Sequence, residues 1–175
     1  SSGDTSINNK ECRLSSPADA IRKGIALVPE DRKKDGLVLG LDVKQNICIT
    51  TLSEMQNMGM LNNNKETSLA QKYIDRLHIK TSSSKQLVKN LSGGNQQKIV
   101  LAKWLATKPC VLMLDEPTRG IDIHAKTEIY KLIGQLAGEG MGIIVVSSEM
   151  PEILAVSNRI LVMCEGCITA ELNID

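Results

Sequence analysis

Four short apolar runs punctuate the chain: residues 25–28 (Ile-Ala-Leu-Val), 111–114 (Val-Leu-Met-Leu), 143–146 (Ile-Ile-Val-Val) and 160–163 (Ile-Leu-Val-Met). None alternates with polar residues, which is the pattern of strands covered on both faces in a parallel sheet. Between the second and third runs, Ile129, Leu132, Ile133 and Leu136 fall three and four apart and form one apolar helical stripe. Gly138, Gly140 and Gly142 mark its end. Strand, helix and strand in this succession predict a βαβ unit. The flanks differ. Residues 4–14 carry Asn8 and Asn9 between two short strand-like pieces, which predicts an antiparallel hairpin. Residues 167–172, after Gly166, are expected to pair in the same way with 160–163. Residues 42–106 have no strong strand signal. Polar loops at 62–65 and 81–85 surround a helical pattern over 65–78, and a second helix follows Ser92. This segment is expected to be a helical subdomain inserted in the sheet, with 1–41 and 107–175 forming the core.

Composition narrows the function classes. A chain of 175 residues with 42% apolar and 23% charged residues suits one soluble domain with its own core. A net charge of +1 gives no bulk attraction to nucleic acid or to an acidic membrane. With one Trp, two Tyr and no Phe, the core must be aliphatic, and platforms for stacking bases are scarce. Five scattered cysteines predict reduced thiols and a cytosolic setting. Cys164 and Cys167 form a lone C-x-x-C without a second pair or a nearby histidine, so a hairpin turn is expected there rather than a metal site. No apolar stretch approaches the ~20 residues of a membrane span, and the polar start has no signal-peptide character. A membrane, if involved, is expected to come from another chain.

Two stretches carry chemistry. The run at 111–114 ends in Asp115, Glu116, Pro117 and Thr118. Ligands of open α/β sheets sit at the carboxyl ends of the strands. There Asp115 is placed to hold the water shell of a Mg²⁺ ion, and Glu116 to orient and polarise an attacking water. Pro117 is expected to hold Glu116 extended and to stop the strand. The second stretch is Ser92, Gly93 and Gly94 ahead of a helix. Ser92 is a candidate N-cap, and the glycines let a ligand approach the backbone. The free N–H groups and positive end of the helix favour an anion. Each stretch taken alone also fits an ordinary structural role: a solubilising strand end and a capped helix.

The residues Leu-Ser-Gly-Gly-Asn-Gln-Gln-Lys at 91–98, followed by the acid of 111–122 (VLMLDEPTRGID), resemble the signature motif and Walker B motif of ATP-binding-cassette (ABC) ATPases. The stretches GIALVPEDRKKDGL, NLSGGNQQK, DEPTRGIDIHAK and VVSSEMPEIL resemble more closely the second cassette of the double-cassette importers of ribose, galactose, xylose and arabinose type. The resemblance spans nearly the whole chain. It implies a P-loop NTPase-like α/β fold: a mostly parallel sheet, an antiparallel hairpin edge and the inserted helical subdomain. It also implies ATP and Mg²⁺ as cofactors, a second cassette in the same full-length chain, membrane permease subunits and a periplasmic sugar-binding protein as partners, and no nucleic acid. The expected location is the cytoplasmic face of the membrane.

No G-x-x-x-x-G-K-[ST] loop occurs, and the dipeptide Gly-Lys is absent. In the family that loop precedes the hairpin at which this chain starts, so a fragment of a longer polypeptide is expected. Such cassettes sandwich ATP head to tail. The resemblance therefore implies that Ser92, Gly93 and Gly94, with Gln96, close over a γ-phosphate held by the partner cassette. Asp122 falls at the aspartate that speaks across the dimer. Glu30 takes the Q-loop position, where most cassettes have Gln; a carboxylate there reaches Mg²⁺ but accepts hydrogen bonds only. The charged run 31–35 is expected to be a solvated loop, with permease contact as the alternative. Ser148 replaces the usual His that contacts the γ-phosphate. Losing one preorganised donor of that kind costs about 3 kcal/mol of transition-state stabilisation, so the site built on Glu116 is expected to be the slower one. The alternative from another class is a regulatory half-module that binds ATP without turning it over.

Overall fold

The computed structural model describes residues 5–7, 10–57 and 60–174. It opens with strands β1 (Thr5–Ile7) and β2 (Lys10–Cys12), paired antiparallel with Thr5 opposite Cys12. The expected hairpin is therefore present; its Asn8 and Asn9 turn lies outside the described residues. Helix α1 (Pro17–Arg22) follows, its Ser16 cap accepting from the Asp19 amide at 3.1 Å. Strand β3 (Ile25–Val28) leads into a π-helical turn, Arg32–Gly36.

The middle of the chain is mostly helical. Helix α2 (Val43–Cys48) starts with a reciprocal capping box between Asp42 and Gln45. A 3₁₀ segment (Ile49–Met55) then leads to the two-residue strands β4 (Gln56–Asn57) and β5 (Met60–Leu61). Helix α3 (Asn63–Arg76) begins two residues before the expected 65 and ends two before 78. Asn62 explains the early start: its side chain accepts from the amides of Asn64 and Lys65, so the asparagine run caps the helix instead of preceding it as a loop. A 3₁₀ turn (Val88–Asn90) precedes α4 (Gly93–Leu105).

The remainder alternates strand and helix: β6 (Val111–Asp115), α5 (Ile123–Gly138), β7 (Gly142–Val146) and α6 (Met150–Val156), then β8 (Arg159–Cys164) and β9 (Cys167–Asn173). Strands β3, β6 and β7 form one parallel sheet with β6 in the middle, Val28 opposite Leu114 and Leu114 opposite Val145. Ile129, Leu132, Ile133 and Leu136 are buried, as the stripe predicts.

Two expectations change. The run at 160–163 is not a fourth strand of the parallel sheet; among the described residues β8 pairs only with β9, antiparallel. Glu165 and Gly166 explain this. Their φ angles of 50° and 80° make a two-residue turn that folds the strand straight back on its neighbour. Nor do the described residues cover the sheet on both faces. Ala26, Val28, Leu112 and Leu114 are buried under the helices, while Leu27, Ile144 and Val146 on the other face are 48%, 49% and 57% exposed. A continuous apolar run records that both faces suit burial; it does not say which segment covers each.

Helix α4 sits at the centre. Ile99, Val100, Leu101 and Ala102 are wholly buried, so the helix is surrounded on all sides. No helix among the described residues is long and apolar enough to cross a membrane.

Candidate functional site

The acidic end of the sheet brings together residues distant in sequence. Asp115 ends β6, paired in register with Val146 of β7. The Glu116 amide donates to the Val146 carbonyl at 2.8 Å, and its carboxylate accepts from the Ser148 amide at 2.8 Å. Those two bonds hold Glu116 at a φ of 45°, in the left-handed region. The expectation that Pro117 would keep Glu116 extended is therefore wrong. Such a backbone costs about 1–3 kcal/mol, and strain of this kind clusters at functional sites. It turns the carboxylate across the sheet toward the loop after β7. Ser148 meets Glu116 through its backbone, while its exposed hydroxyl is not part of that bond. Thr118, one turn on, is buried with its hydroxyl lacking a partner among the described residues.

Glu30 and Asp115 line one cleft beside the π-helical turn. Glu30 is ion-paired to Arg119. The charged run 31–35 is not simply a solvated loop. Asp31 caps the π-helical turn, accepting from the Lys33 and Lys34 amides at 2.9 and 3.1 Å, and Arg32 is drawn inward while both lysines stay exposed. Four carboxylates line the cleft, Glu30, Asp31, Asp35 and Asp115, and Asp31 is taken up by capping the π-helical turn. Mg²⁺ beside a bound nucleotide commonly takes only one or two, with phosphate and water completing the set. Asp115 fits that donor set; Glu30 joins it only on leaving Arg119. Among the described residues no group of three or more His, Cys, Asp or Glu is placed to hold a metal.

The glycine turn is built differently. Ser92 occupies the N-cap position of α4, yet its hydroxyl makes no cap bond; it accepts from the Asn95 amide side chain at 2.9 Å. Asn95 in turn accepts from the Lys80 amide at 2.7 Å. Asn95 is not among the residues that the motifs mark. Its place three positions after the cap was the available signal. The glycines are required by packing within the chain. A Cβ on Gly94 would lie 2.5 Å from the Ala125 Cβ, and one on Gly93 would lie 2.9 Å from a guanidinium nitrogen of Arg32. Gln96 points inward: it is buried, and its amide donates to the Val88 carbonyl at 3.1 Å. It braces the turn and does not reach the surface that Ser92 presents. Behind it, buried Lys98 pairs with Glu128 at 2.9 Å and donates to the His78 carbonyl. That lysine holds the Glu128 carboxyl below its ordinary range.

Asp122 caps α5, accepting from the Ala125 amide at 2.9 Å, a bond that lowers its carboxyl. The N-termini of α4 and α5 therefore meet at Gly94 and Ala125, and Asp122 stands exposed beside that contact. Cys164 and Cys167 are free, exposed and opposite each other across the β8–β9 turn, in keeping with the hairpin reading.

The chain is similar to known proteins in sequence and in fold. The chain is 54% identical over 97% of its length to the ribose import ATP-binding protein RbsA of Rhodopirellula baltica, of which it covers 33%. It is 49% identical over 99% of its length to the xylose import ATP-binding protein XylG of Thermoanaerobacter pseudethanolicus, of which it covers 34%. It thus spans about a third of the length of the curated relatives it matches. Its fold matches a dimeric ATP-binding cassette, MJ0796, in a post-hydrolysis state bound to ADP and Pi, with a TM-score of 0.79 at 20% identity over 98% of this chain and 73% of that one. It also matches cbiO1 of Clostridium perfringens, with a TM-score of 0.77 at 25% identity over 95% of this chain and 64% of that one. The ABC transporter family model matches residues 1–119, and with the parallel sheet, the signature turn and the acidic strand end now placed, the chain belongs to the ABC transporter family.

Proposed function

We propose that the chain is part of the ATP-hydrolysing cassette of a sugar importer, and that its glycine turn completes a nucleotide site on a partner cassette. The observation that carries this reading is the pairing of Glu116 with the loop after β7. A strained carboxylate is held at 2.8 Å from the Ser148 amide, at the carboxyl end of a parallel sheet and beside Asp115. In this reading Glu116 accepts a proton from the attacking water, and Asp115 would hold Mg²⁺. The ion supplies charge neutralisation on the phosphates. The chain's own tasks are to aim the carboxylate and to present the turn. The relatives, named as ribose and xylose import ATP-binding proteins, support a monosaccharide as cargo and a membrane permease as partner. The cytoplasmic face of the membrane is the matching location.

Several features support a longer polypeptide, with residues 42–106 as its helical subdomain and 1–41 with 107–175 in its core. Leu27, Ile144 and Val146 leave an apolar sheet face uncovered by the described residues. No lysine-bearing phosphate loop lies in the sequence, and the relatives are about three times as long. Ser148 favours the second reading, a regulatory half-module, for the site built on Glu116, because its neutral hydroxyl replaces a group able to become cationic. The test is ATP turnover by the full-length polypeptide beside the 175-residue chain. The reading expects turnover from the first and none from the second. Robust hydrolysis by the isolated chain contradicts the trans arrangement.

A further inference from the structure

Arg32 is the one member of its charged run drawn inward. Its two terminal nitrogens donate to the carbonyls of Arg119 at 2.7 Å and Gly120 at 3.1 Å, across 87 and 88 residues of chain. The same guanidinium lies against Gly93, where a Cβ would stand 2.9 Å from it. Its Nε is buried and has no partner among the described residues. Arg119 answers in the opposite direction, its guanidinium paired with Glu30. Two arginines thus cross between the turn after β3 and the loop after β6. The first of them also touches the N-terminus of α4.

The supports on either side are firm. Gly36, at the end of the π-helical turn, sits against Val100 of α4, where a Cβ would meet a methyl at 3.0 Å, and its carbonyl accepts from buried Lys103. The Arg119 amide donates to the Glu116 carbonyl at 3.1 Å, so the carbonyls that Arg32 grips begin one turn after the candidate base. A guanidinium suits this place because its planar fork spans two diverging carbonyls at once, which a single ammonium cannot do.

From this geometry we infer that Arg32 is a positioning residue: it fixes the spacing between the acidic loop carrying Glu116 and the glycine turn carrying Ser92. The inference rests on the nucleotide-site reading above and adds a dependence between its two halves. Arg32 touches neither Ser92 nor Glu116 directly, so its loss shifts both loops without removing a group from either. Turnover falls while apparent ATP affinity, set by segments that hold the nucleotide, stays close to normal.

The test uses the full-length polypeptide with Arg32→Ala, Arg32→Lys, Gly93→Ala and the double variant. Arg32→Ala is expected to lower kcat about tenfold or more with KM changed less than about twofold, because ångström-scale misplacement acts on rate. Arg32→Lys is expected to recover only part of that loss. Gly93→Ala presses a methyl on the guanidinium, so its cost is expected to shrink about threefold or more when Arg32 is already alanine, the mark of contacting residues. A second readout does not depend on turnover: exchange of the amides bonded within the two segments, Gln96 to the Ser92 carbonyl in one and Arg119 to the Glu116 carbonyl in the other, is expected to quicken about tenfold in Arg32→Ala, with exchange in β6 unchanged. Unchanged exchange at both segments overturns the inference, as do independent effects of Gly93→Ala and Arg32→Ala or a rise in KM at constant kcat. Quickened exchange in a protein whose wild type never hydrolyses ATP supports the brace and overturns the catalytic reading instead.

Discussion

The glycine turn and the acidic strand end are the two halves of the proposed site, and they are held by different means. The turn is fixed by close packing and by polar bonds buried behind it. Gly94 fits against Ala125 with no room for a methyl, Gln96 is buried against Val88, and Lys98 is locked between Glu128 and the His78 carbonyl. The acidic end is fixed by a few directional bonds in an open cleft. Glu116 sits at an unfavourable φ, held by Val146 and Ser148, while Glu30 is held by Arg119 at the surface. A group that must dock against another body profits from a rigid seat. A group that must aim at water profits from a pose imposed on the side chain. The difference also shows that a glycine pair can have a reason inside its own chain. The close approach these glycines permit is first of all an approach of helices.

Variants can break or sharpen this contrast. Ser92→Arg in the full-length polypeptide places bulk and charge on the face meant to dock, and ATP hydrolysis is expected to fall on the order of 100-fold or more, the scale of losing a preorganised contact. Near-normal rates would remove the turn from the reaction. Gly94→Ala strikes the seat itself. Overpacking costs about 1–3 kcal/mol, so the melting temperature is expected to drop by several degrees, and Ala125→Gly is expected to restore part of it. A neutral Gly94→Ala would show that the contact is loose. Glu116→Gln acts at the site proposed to be the slower one and is expected to cost less than about tenfold, under ~1.4 kcal/mol of barrier. A total loss equal to that of Ser92→Arg would contradict the asymmetry.

The smallest effect is acid sensitivity of the seat. The carboxyls of Glu128 and Asp122 are lowered from their ordinary values of 4.5 and 3.8, by Lys98 and by the Ala125 amide respectively. A carboxyl lowered by folding contributes stability that is present above its unfolded value and lost as pH falls through the folded one. Stability is therefore expected to decline below about pH 4.5. Glu128→Gln is expected to flatten the slope by a few tenths of a kcal/mol, since the Glu128 side chain is half exposed and screened. A slope indifferent to Glu128 would mean that the pair braces nothing.

Much of this arrangement was legible beforehand. The runs at 25–28, 111–114 and 143–146 are strands of one parallel sheet, and the stripe from Ile129 to Leu136 is the buried face of α5. Long periodic segments declare themselves because many residues vote. Helices α1, α2 and α6 have too few turns to show a period; the local signals are the caps Ser16 and Asp42 for the first two and a proline in the first turn of α1 and α6. The site residues were legible as types and less so as poses. Glu116 was named, but its left-handed backbone depends on partners 30 and 32 residues away. Gln96 was named for the surface and lies inside, because α4 is enclosed all round and a glutamine there must find a carbonyl. Arg32 looked like one of several solvated charges until the fold brought the carbonyls of 119 and 120 beside it.

The central claim is that the turn at Ser92 serves a nucleotide presented by another cassette. The most direct measurement is a structure of the full-length polypeptide with its permease, trapped with ATP. The account predicts the Ser92 hydroxyl and the amides following it at hydrogen-bond distance from a γ-phosphate seated on a partner's phosphate loop. A trapped nucleotide far from that turn, with Ser92 facing open solvent, would contradict it.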